Sequence, residues 1–322
     1  MLGAGEVWGI LGGGFGLYGY LPAVAERTEG KIHTLVHYRE TIQGRKDIRA
    51  FEDRIVFEKD AADIFARCNV VVIALRPADQ ELILAEILEK QWMGKLVLEK
   101  PLARNPQLAL ALLEDLTRSG IEFRIGFTLG ATEWAASLAQ FLDANRQSAI
   151  ALDFQWLFLA HHYRADLKTW KRYRSLGGGA TRFYTIHLIA LFAKLGLTKA
   201  IGYASNATEG DEEPECRFAV SSGNCKATVV CNSKWQGDPI FRIRAITGGA
   251  PSFEVVLDDP FRKIIPDVQN ELLDGRVGYL SKILNSLNEE GNTAGSYYMG
   301  HVNLWAQLEK ICEPWNSPRS LK

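Results

Sequence analysis

The residues of this chain whose types and spacing suggest chemistry fall in three places. The first is Gly12-Gly13-Gly14-Phe15-Gly16, set between an apolar run and the small-residue segment Pro22-Ala23-Val24-Ala25. Glycine lacks a Cβ, so such a turn can bring its backbone against a pyrophosphate while free N–H groups at the next helix N-terminus face the negative charge. Two registers of G-x-G-x-x-G compete. The one directly after the apolar run has Leu17 at its third position, whereas Gly14-Phe15-Gly16-Leu17-Tyr18-Gly19 is complete but later. The first is preferred because the tight turn must begin where the strand ends, which makes Gly12, Gly14, Phe15 and Gly16 the expected cofactor contacts. The second place is Glu99-Lys100-Pro101-Leu102, directly after the apolar KLVL. The third is Gly177-Gly178-Gly179 with the segment after it, which carries Phe183, Tyr184 and His187. On a helix residues 183 and 187 share a face, with Tyr184 beside them. Taken alone, His187 reads more readily as a core histidine on an apolar helix.

The elements that must position these groups change character midway along the chain. Apolar strands are expected at 31–36 (KIHTLV), 69–74 (NVVVIA), 95–98 (KLVL) and 121–127, with helices from 77 to 90 and from about 105 to 118. Strands alternating with helical crossovers imply a Rossmann-type doubly wound parallel sheet, with functional groups collecting at its carboxyl edge. From about residue 148 the segments 149–159, 201–205, 217–221, 227–235, 240–247 and 253–257 read as successive strands. They suggest an α+β domain on a large, mostly antiparallel sheet. The expected division is a dinucleotide-binding domain over 1–128 and a substrate-binding and oligomerisation domain over 129–322. Gly237-Asp238-Pro239 beside Trp235 is expected to close a hairpin, with its sheet face a candidate dimer contact.

The end of the 31–36 strand bears on cofactor choice. In a dinucleotide fold an acid near this point bonds the ribose 2′-OH. Here the closing residues are His37, Tyr38 and Arg39, and the nearest acid, Glu40, follows the arginine. A guanidinium fits a 2′-phosphate and stacks on adenine, so NADP is favoured over NAD, with Tyr38 and Arg39 as contacts. The alternative is that Arg39 and Arg45 are solvated loop charges.

Composition sets outer bounds. The 322 residues, 47% of them hydrophobic, can build two sizeable cores. A formal net charge of -1 gives no electrostatic case for a nucleic acid or an anionic membrane surface. Cys68, Cys216, Cys225, Cys231 and Cys312 are odd in number and contain no C-x-x-C pair, which suggests reduced thiols in a cytoplasm and no metal site. The opening apolar run has no basic segment before it and no A-x-A site after it, so no targeting peptide is expected.

The glycine cluster, NVVVIA, E-K-P-L and the later glycine triplet followed by His187 together resemble the glucose-fructose oxidoreductase / inositol dehydrogenase (Gfo/Idh/MocA) family across essentially the whole chain. The resemblance implies an NAD(P)-dependent oxidoreductase that interconverts alcohol and ketone on a sugar, sugar derivative or polyol by hydride transfer. In that family the lysine of E-K-P lies beside the nicotinamide and a G-G-G-x-x-x-D-x-G-x-H segment serves the substrate. Lys100 matches that lysine and His187 that histidine, and the helix face bearing His187 is then expected to look into an interdomain cleft. Glu99 and Lys100 are thereby expected near the cofactor. The chain departs from the pattern elsewhere. Phe183 stands where the family has its aspartate and Thr185 where it has a glycine; Leu75-Arg76 replaces a threonine-proline at the cofactor edge; Gln80 replaces a histidine. A phenyl ring cannot orient an imidazole as a carboxylate does. Tyr184 is the expected substitute as proton relay or hydroxyl contact.

The resulting expectation is a cytoplasmic, homo-oligomeric enzyme, joined through its C-terminal sheet, with Lys100, His187 and Tyr184 as catalytic residues. Lys100 would hold the reacting oxygen by a charge-assisted hydrogen bond and His187 would move the proton. The alternative is a catalytically silent NAD(P)-binding sensor of the same fold. Arg76, Arg164 and Arg182 are candidates for an anionic group on the substrate. His161 and His162, adjacent and so on opposite faces, are no metal pair. The stretch from Lys168 to Arg172 reads as a solvated basic helix, and residues 316–322 as a frayed tail.

Overall fold

The computed structural model describes residues 5–207, 210–262, 273–288 and 294–314. The expectation for the tail 316–322 lies outside them. The chain forms two compact units. One comprises residues 1–102, 112–131 and 263–295, the other 103–111, 132–262 and 296–322.

The first unit is built on six parallel strands, β1 (Trp8–Leu11), β2 (Ile32–Leu35), β3 (Ile55–Glu58), β4 (Val70–Ile73), β5 (Lys95–Leu98) and β6 (Glu122–Ile125), in the order β3-β2-β1-β4-β5-β6. All residues of β1 and β4 are buried, as expected for parallel strands covered on both faces. The register pairs Leu11 with Ile73 and Ile73 with Leu98, so Gly12, Ala74 and Glu99 leave the sheet side by side at its carboxyl edge. The strand order reverses between β1 and β4, the position at which such sheets open a ligand crevice. β3 and the helix Ala61–Arg67 were not apparent from the sequence, because IVFE is a half-buried edge strand with little apolar continuity.

The expected boundary at 128 lies close to Ala131, but the first unit is not contiguous. The helix Val277–Asn285 returns to it, burying Val277, Leu280 and Leu284 in one core with Trp8, Leu21, Val24 and Val72. Apolar residues three and four apart give that helix a single sticky face, and each leucine so buried contributes about 2 kcal/mol. Arg124 Nε then donates to Ser286 Oγ at 3.1 Å.

The second unit carries seven strands: β7 (Ile150–Leu157), β8 (Lys199–Asn206), β9 (Glu215–Ser222), β10 (Cys225–Asn232), β11 (Ile240–Thr247), β12 (Ala250–Leu257) and β13 (Cys312–Pro314). Their order is β12-β11-β7-β10-β9-β8-β13. β7 runs parallel to β10 and β13 to β8; the remaining pairs are antiparallel. Strict alternation puts Ile150, Leu152, Phe154 and Trp156 of β7 on the buried face. The helix Ile186–Lys194 covers that face, with Phe192 edge-on to Phe154 at 5.0 Å. Gly237-Asp238-Pro239 does not close a hairpin. It joins β10 to β11, which lie on either side of β7, while Trp235 Nε1 donates to Asp238 O at 3.2 Å.

Cys68, Cys216, Cys225 and Cys231 are free, and burial pushes the Cys68 thiol up to about 12. Among the described residues no cluster of His, Cys, Asp or Glu could hold a metal ion, and no helix is long and apolar enough to cross a membrane.

Candidate functional site

In the first unit the glycine turn begins directly at the end of β1, as the first register requires. Gly12 has φ +144°, and a Cβ there would sit 2.4 Å from the carbonyl oxygen of Ala74, so only glycine fits. A Cβ on Gly14 would meet nothing within 4 Å, which leaves open space beside the turn. The chain then enters a π-helical turn, Gly16–Tyr20, and the helix Leu21–Arg27. Leu17, at the drifting third position, is buried in the core. Gly19 serves a different purpose, since the Phe15 ring occupies the space its side chain would need. Phe15 is held edge-on by Tyr18 and Tyr20, with the Arg276 guanidinium 4.2 Å above it. Arg276 is in turn fixed by Asp274 at 2.8 Å through two nitrogens. Nothing local in the sequence links Arg276 to a loop so far away.

Tyr38 lies across Gly13. Burial holds its phenol above the ordinary value, against the opposing effect of hydrogen bonds with the Gly12 and Gly13 backbone. Arg39 stacks 4.4 Å over Phe57. At the β4 edge Leu75 is followed by Arg76, which is exposed and paired with Asp79 at 2.6 Å.

Glu99 and Lys100 follow β5. Glu99 Oε2 accepts from Tyr20 Oη at 2.9 Å, and Lys100 is buried, with a cis peptide bond to Pro101. The fully buried Gln80 clamps this segment: its amide nitrogen donates to the carbonyls of Glu99 (2.9 Å), Leu102 (3.0 Å) and Pro101 (3.3 Å). The residue that departs from the family pattern thus acquires a visible task, fixing the backbone that carries Lys100. A glycine turn with an open flank, an adjoining helix start and a lysine on the same sheet edge fit a dinucleotide.

In the second unit Gly177 and Gly179 take φ +85° and +82°. A side chain on Gly179 would strike the Glu213 carboxylate at 2.7 Å. Glu213 is wholly buried; it accepts from the Thr181 N–H at 3.0 Å and from Tyr203 Oη at 2.9 Å, with Arg174 at 3.9 Å. Burial pushes both Glu213 and Tyr203 up. This network pins the start of the π-helical turn Ala180–Thr185, from which the helix Ile186–Lys194 continues. The glycine triplet announced the tight passage in the sequence; the carboxylate that requires it did not announce itself.

Along that segment Arg182 is buried and fully engaged. Two of its nitrogens bond Glu309 at 2.7 and 2.5 Å, and the third donates to Arg104 O and Arg174 O. It is therefore a structural anchor and not a receptor for a substrate anion. Arg164 donates to Leu159 O at 3.2 Å. The stretch 168–172 is only in part a solvated basic face: Lys168 is exposed, but Arg172 is buried, stacks 4.7 Å over Tyr163, pairs with Asp166 at 3.1 Å and binds the His162 carbonyl. The Arg172 charge is met locally by Asp166 and Glu212, which a composition-based reading cannot foresee.

Phe183, in place of the aspartate, packs edge-on to Trp170 at 5.3 Å and to Tyr184 at 4.8 Å, with Lys171 above it at 5.2 Å. Tyr184 also meets Trp156 and Phe158. His187 is buried, its ring 5.9 Å from Phe261, which itself touches Trp156. Phe183, Tyr184 and His187 are thus parts of one aromatic surface. The His162 Nδ1 lies 3.5 Å from Tyr184 Oη, a pairing between residues that sequence spacing alone did not associate.

No protein-family model and no curated protein matches the sequence. Solved structures do match over nearly the whole chain. The WlbA dehydrogenase from Bordetella pertussis, in complex with NADH and UDP-GlcNAcA, is 13% identical, covers 97% of this chain and 96% of its own, and has a TM-score of 0.74. GenD2 from gentamicin A biosynthesis, in complex with NAD, is 14% identical over 97% and 95%, with a TM-score of 0.69. KijD10, a 3-ketoreductase from Actinomadura kijaniata with NADP and TDP-benzene, is 12% identical over 96% and 98%, with a TM-score of 0.67. The fold of this chain, a six-stranded parallel sheet joined to a large mostly antiparallel one, is that of the Gfo/Idh/MocA-type dehydrogenases.

Proposed function

We propose that this chain is a nicotinamide-dependent oxidoreductase that interconverts an alcohol and a ketone on a sugar, sugar derivative or polyol. The observation that carries this reading is the pairing of the Gly12 turn with Lys100 on one sheet edge, since a fold kept only as a scaffold would need neither. The structural neighbours, which bind NADH, NAD or NADP, support the cofactor class.

The bound nicotinamide supplies or accepts the hydride. The chain's own part is to bind and to manage charge. Backbone N–H groups at the Gly12–Gly16 turn receive the pyrophosphate, and Arg39, lying on Phe57, favours a 2′-phosphate and hence NADP over NAD. Lys100, held in place by the Gln80 clamp, binds the reacting oxygen and stabilises negative charge on it. His187 moves the proton. Phe183 brings no charge, so the surface around His187 suits the apolar face of a ring better than it suits a hydroxyl cluster. The free cysteines support a reducing compartment, and the second unit's sheet is the proposed contact between copies.

The test is a screen of sugars, nucleotide sugars and polyols by nicotinamide absorbance, with Lys100→Ala and His187→Ala beside the wild type. Both substitutions are expected to abolish turnover while dinucleotide binding persists. If nothing turns over, both substitutions are neutral, and dinucleotide binding alters affinity for a protein partner or nucleic acid, the sensor reading replaces this one.

A further inference from the structure

Phe15 follows Gly14 directly, in the turn that the nicotinamide reading assigns to the pyrophosphate. Its backbone is right-handed helical (φ -59°, ψ -25°), and the N–H groups of Leu17 and Tyr18 both close onto Gly14 O, at 2.9 and 3.2 Å. The N–H groups of Phe15 and Gly16 therefore stand at the start of the turn, ahead of its own ladder of acceptors. A side chain held in one rotamer restricts the backbone that carries it, so the fixing of the Phe15 ring bears on where those groups point.

Four contacts surround the ring. Tyr18 and Tyr20 meet it edge-on at 5.3 and 5.4 Å, and Tyr20 is itself tied to Glu99 at 2.9 Å. Gly19 lies so close that a Cβ there would be 2.3 Å from the ring. The fourth contact is the Arg276 guanidinium, 4.2 Å from the ring centroid, and it belongs to the segment 263–295 that returns to this unit late in the chain. Asp274 sets its direction, accepting from Nε and Nη2 at 2.8 Å each and from the Arg276 backbone N–H at 3.0 Å. Burial works against charge on Asp274, yet the bonds from Arg276 hold its carboxyl below the ordinary value, so the pair is ionised at neutral pH. The helix Val277–Asn285 begins at the next residue and is buried in the core, which gives the pair a rigid base.

We propose that Arg276 is a positioning residue for the dinucleotide: held by Asp274, it fixes the Phe15 ring and so orders the glycine turn before the cofactor arrives. Binding to a turn that is already ordered costs less than ordering it at the moment of binding. This rests on the nicotinamide reading of the first unit, and adds that cofactor affinity is set in part by a residue of the returning segment. Linkage makes the effect mutual, so bound dinucleotide steadies that segment in return.

A double-mutant cycle on dinucleotide dissociation constants, read by fluorescence titration, tests it. Arg276→Gln removes the planar cation and is expected to weaken NADPH binding roughly fivefold, the worth of a partly desolvated cation–π contact. Arg276→Lys keeps the charge but loses the fork that Asp274 holds, and should recover only part of the affinity. In a Phe15→Ala background Arg276→Gln should add no further loss. Amide hydrogen exchange across 273–288 should slow when NADPH is bound to the wild type. A fivefold loss that persists without the Phe15 ring, or full affinity in Arg276→Lys, means that the arginine acts on the cofactor by its charge alone, and the proposal fails. It fails equally if Arg276→Gln lowers only the urea midpoint and leaves affinity untouched, or if exchange across 273–288 ignores the dinucleotide. A wild type that binds neither NADPH nor NADH ends the oxidoreductase reading and this inference together, whereas binding without coupling ends this inference alone.

Discussion

The side-chain amide of Gln80 donates to the carbonyl of Leu102 at 3.0 Å, and the same nitrogen also serves Glu99 and Pro101. One side chain therefore holds the turn on both sides of Lys100. Gln80→Leu removes the donor from three carbonyls at once. Leaving a buried polar group unpaired costs about 1–3 kcal/mol, so a loss of about 2 kcal/mol in urea unfolding is expected. Turnover should fall further than that loss accounts for, because Lys100 loses its fixed backbone.

Gly12 and Gly14 should respond differently to the same added methyl group. Gly12→Ala forces a Cβ into the Ala74 carbonyl at positive φ, and both thermal stability and dinucleotide affinity should drop. Gly14→Ala meets nothing in the protein. Its melting temperature should stay at the wild-type value while, on the proposed function, NADPH affinity falls by about tenfold or more, since the methyl enters the open space proposed to receive the pyrophosphate. Differential scanning fluorimetry and fluorescence titration separate the two outcomes.

Arg39→Ala is expected to erase most of the preference for NADPH over NADH while changing NADH affinity little. Titrating both dinucleotides into wild type and variant measures this directly. Tighter NADH binding by the wild type would refute the assignment.

The buried His162 makes the fold sensitive to acid. Its value of about 4 in the folded chain lies below the ordinary 6.5, so the unfolded chain takes up a proton first as pH falls. Stability is intact above about pH 6.5, declines between there and pH 4, and then levels off, a total of about 3 kcal/mol from this group. Burial pushes His301 down to about 3, which adds to the slope. Urea midpoints measured across that range should fall, and His162→Asn should flatten the profile.

Glu213 has the opposite sign. Burial raises its carboxyl, so the folded chain prefers the protonated form and the stability from this group diminishes as pH rises from the ordinary carboxylate value through the raised one. Glu213→Gln keeps an acceptor for the Thr181 N–H and should remove that decline. Glu213→Ala strands the Thr181 N–H and takes one of two partners from Tyr203 Oη, and should lower stability at every pH.

The sequence spoke most clearly where structure is local. KLVL and IFRIRAIT are strands end to end because uninterrupted or alternating apolar residues leave the backbone no competing pattern. The glycine turn, the E-K-P-L edge and the helix after the glycine triplet were visible for the same reason. What stayed hidden depends on partners distant along the chain. Arg172 looks like a solvated charge and Arg182 like a receptor for an anion until Asp166 and Glu309 are seen beside them. The turn at Gly237-Asp238 has hairpin chemistry, yet β7 occupies the space between the strands it connects. His162 gave no sign of burial, because its apolar surroundings come from other segments.

The helix Val277–Asn285 fills the core of a unit whose sheet is complete by Ile125. During synthesis the ribosome must therefore deliver some 150 further residues before the first unit's core can close, a delay on the order of ten seconds at ordinary elongation rates. In that interval the nascent sheet presents the uncovered surface that Leu280 and Leu284 will later occupy, and transiently exposed apolar surface of this kind is prone to aggregate. A fragment ending near residue 131 is for this reason not a smaller version of the first unit, and its apolar flank should drive it to aggregate unless the segment 273–288 is supplied in trans.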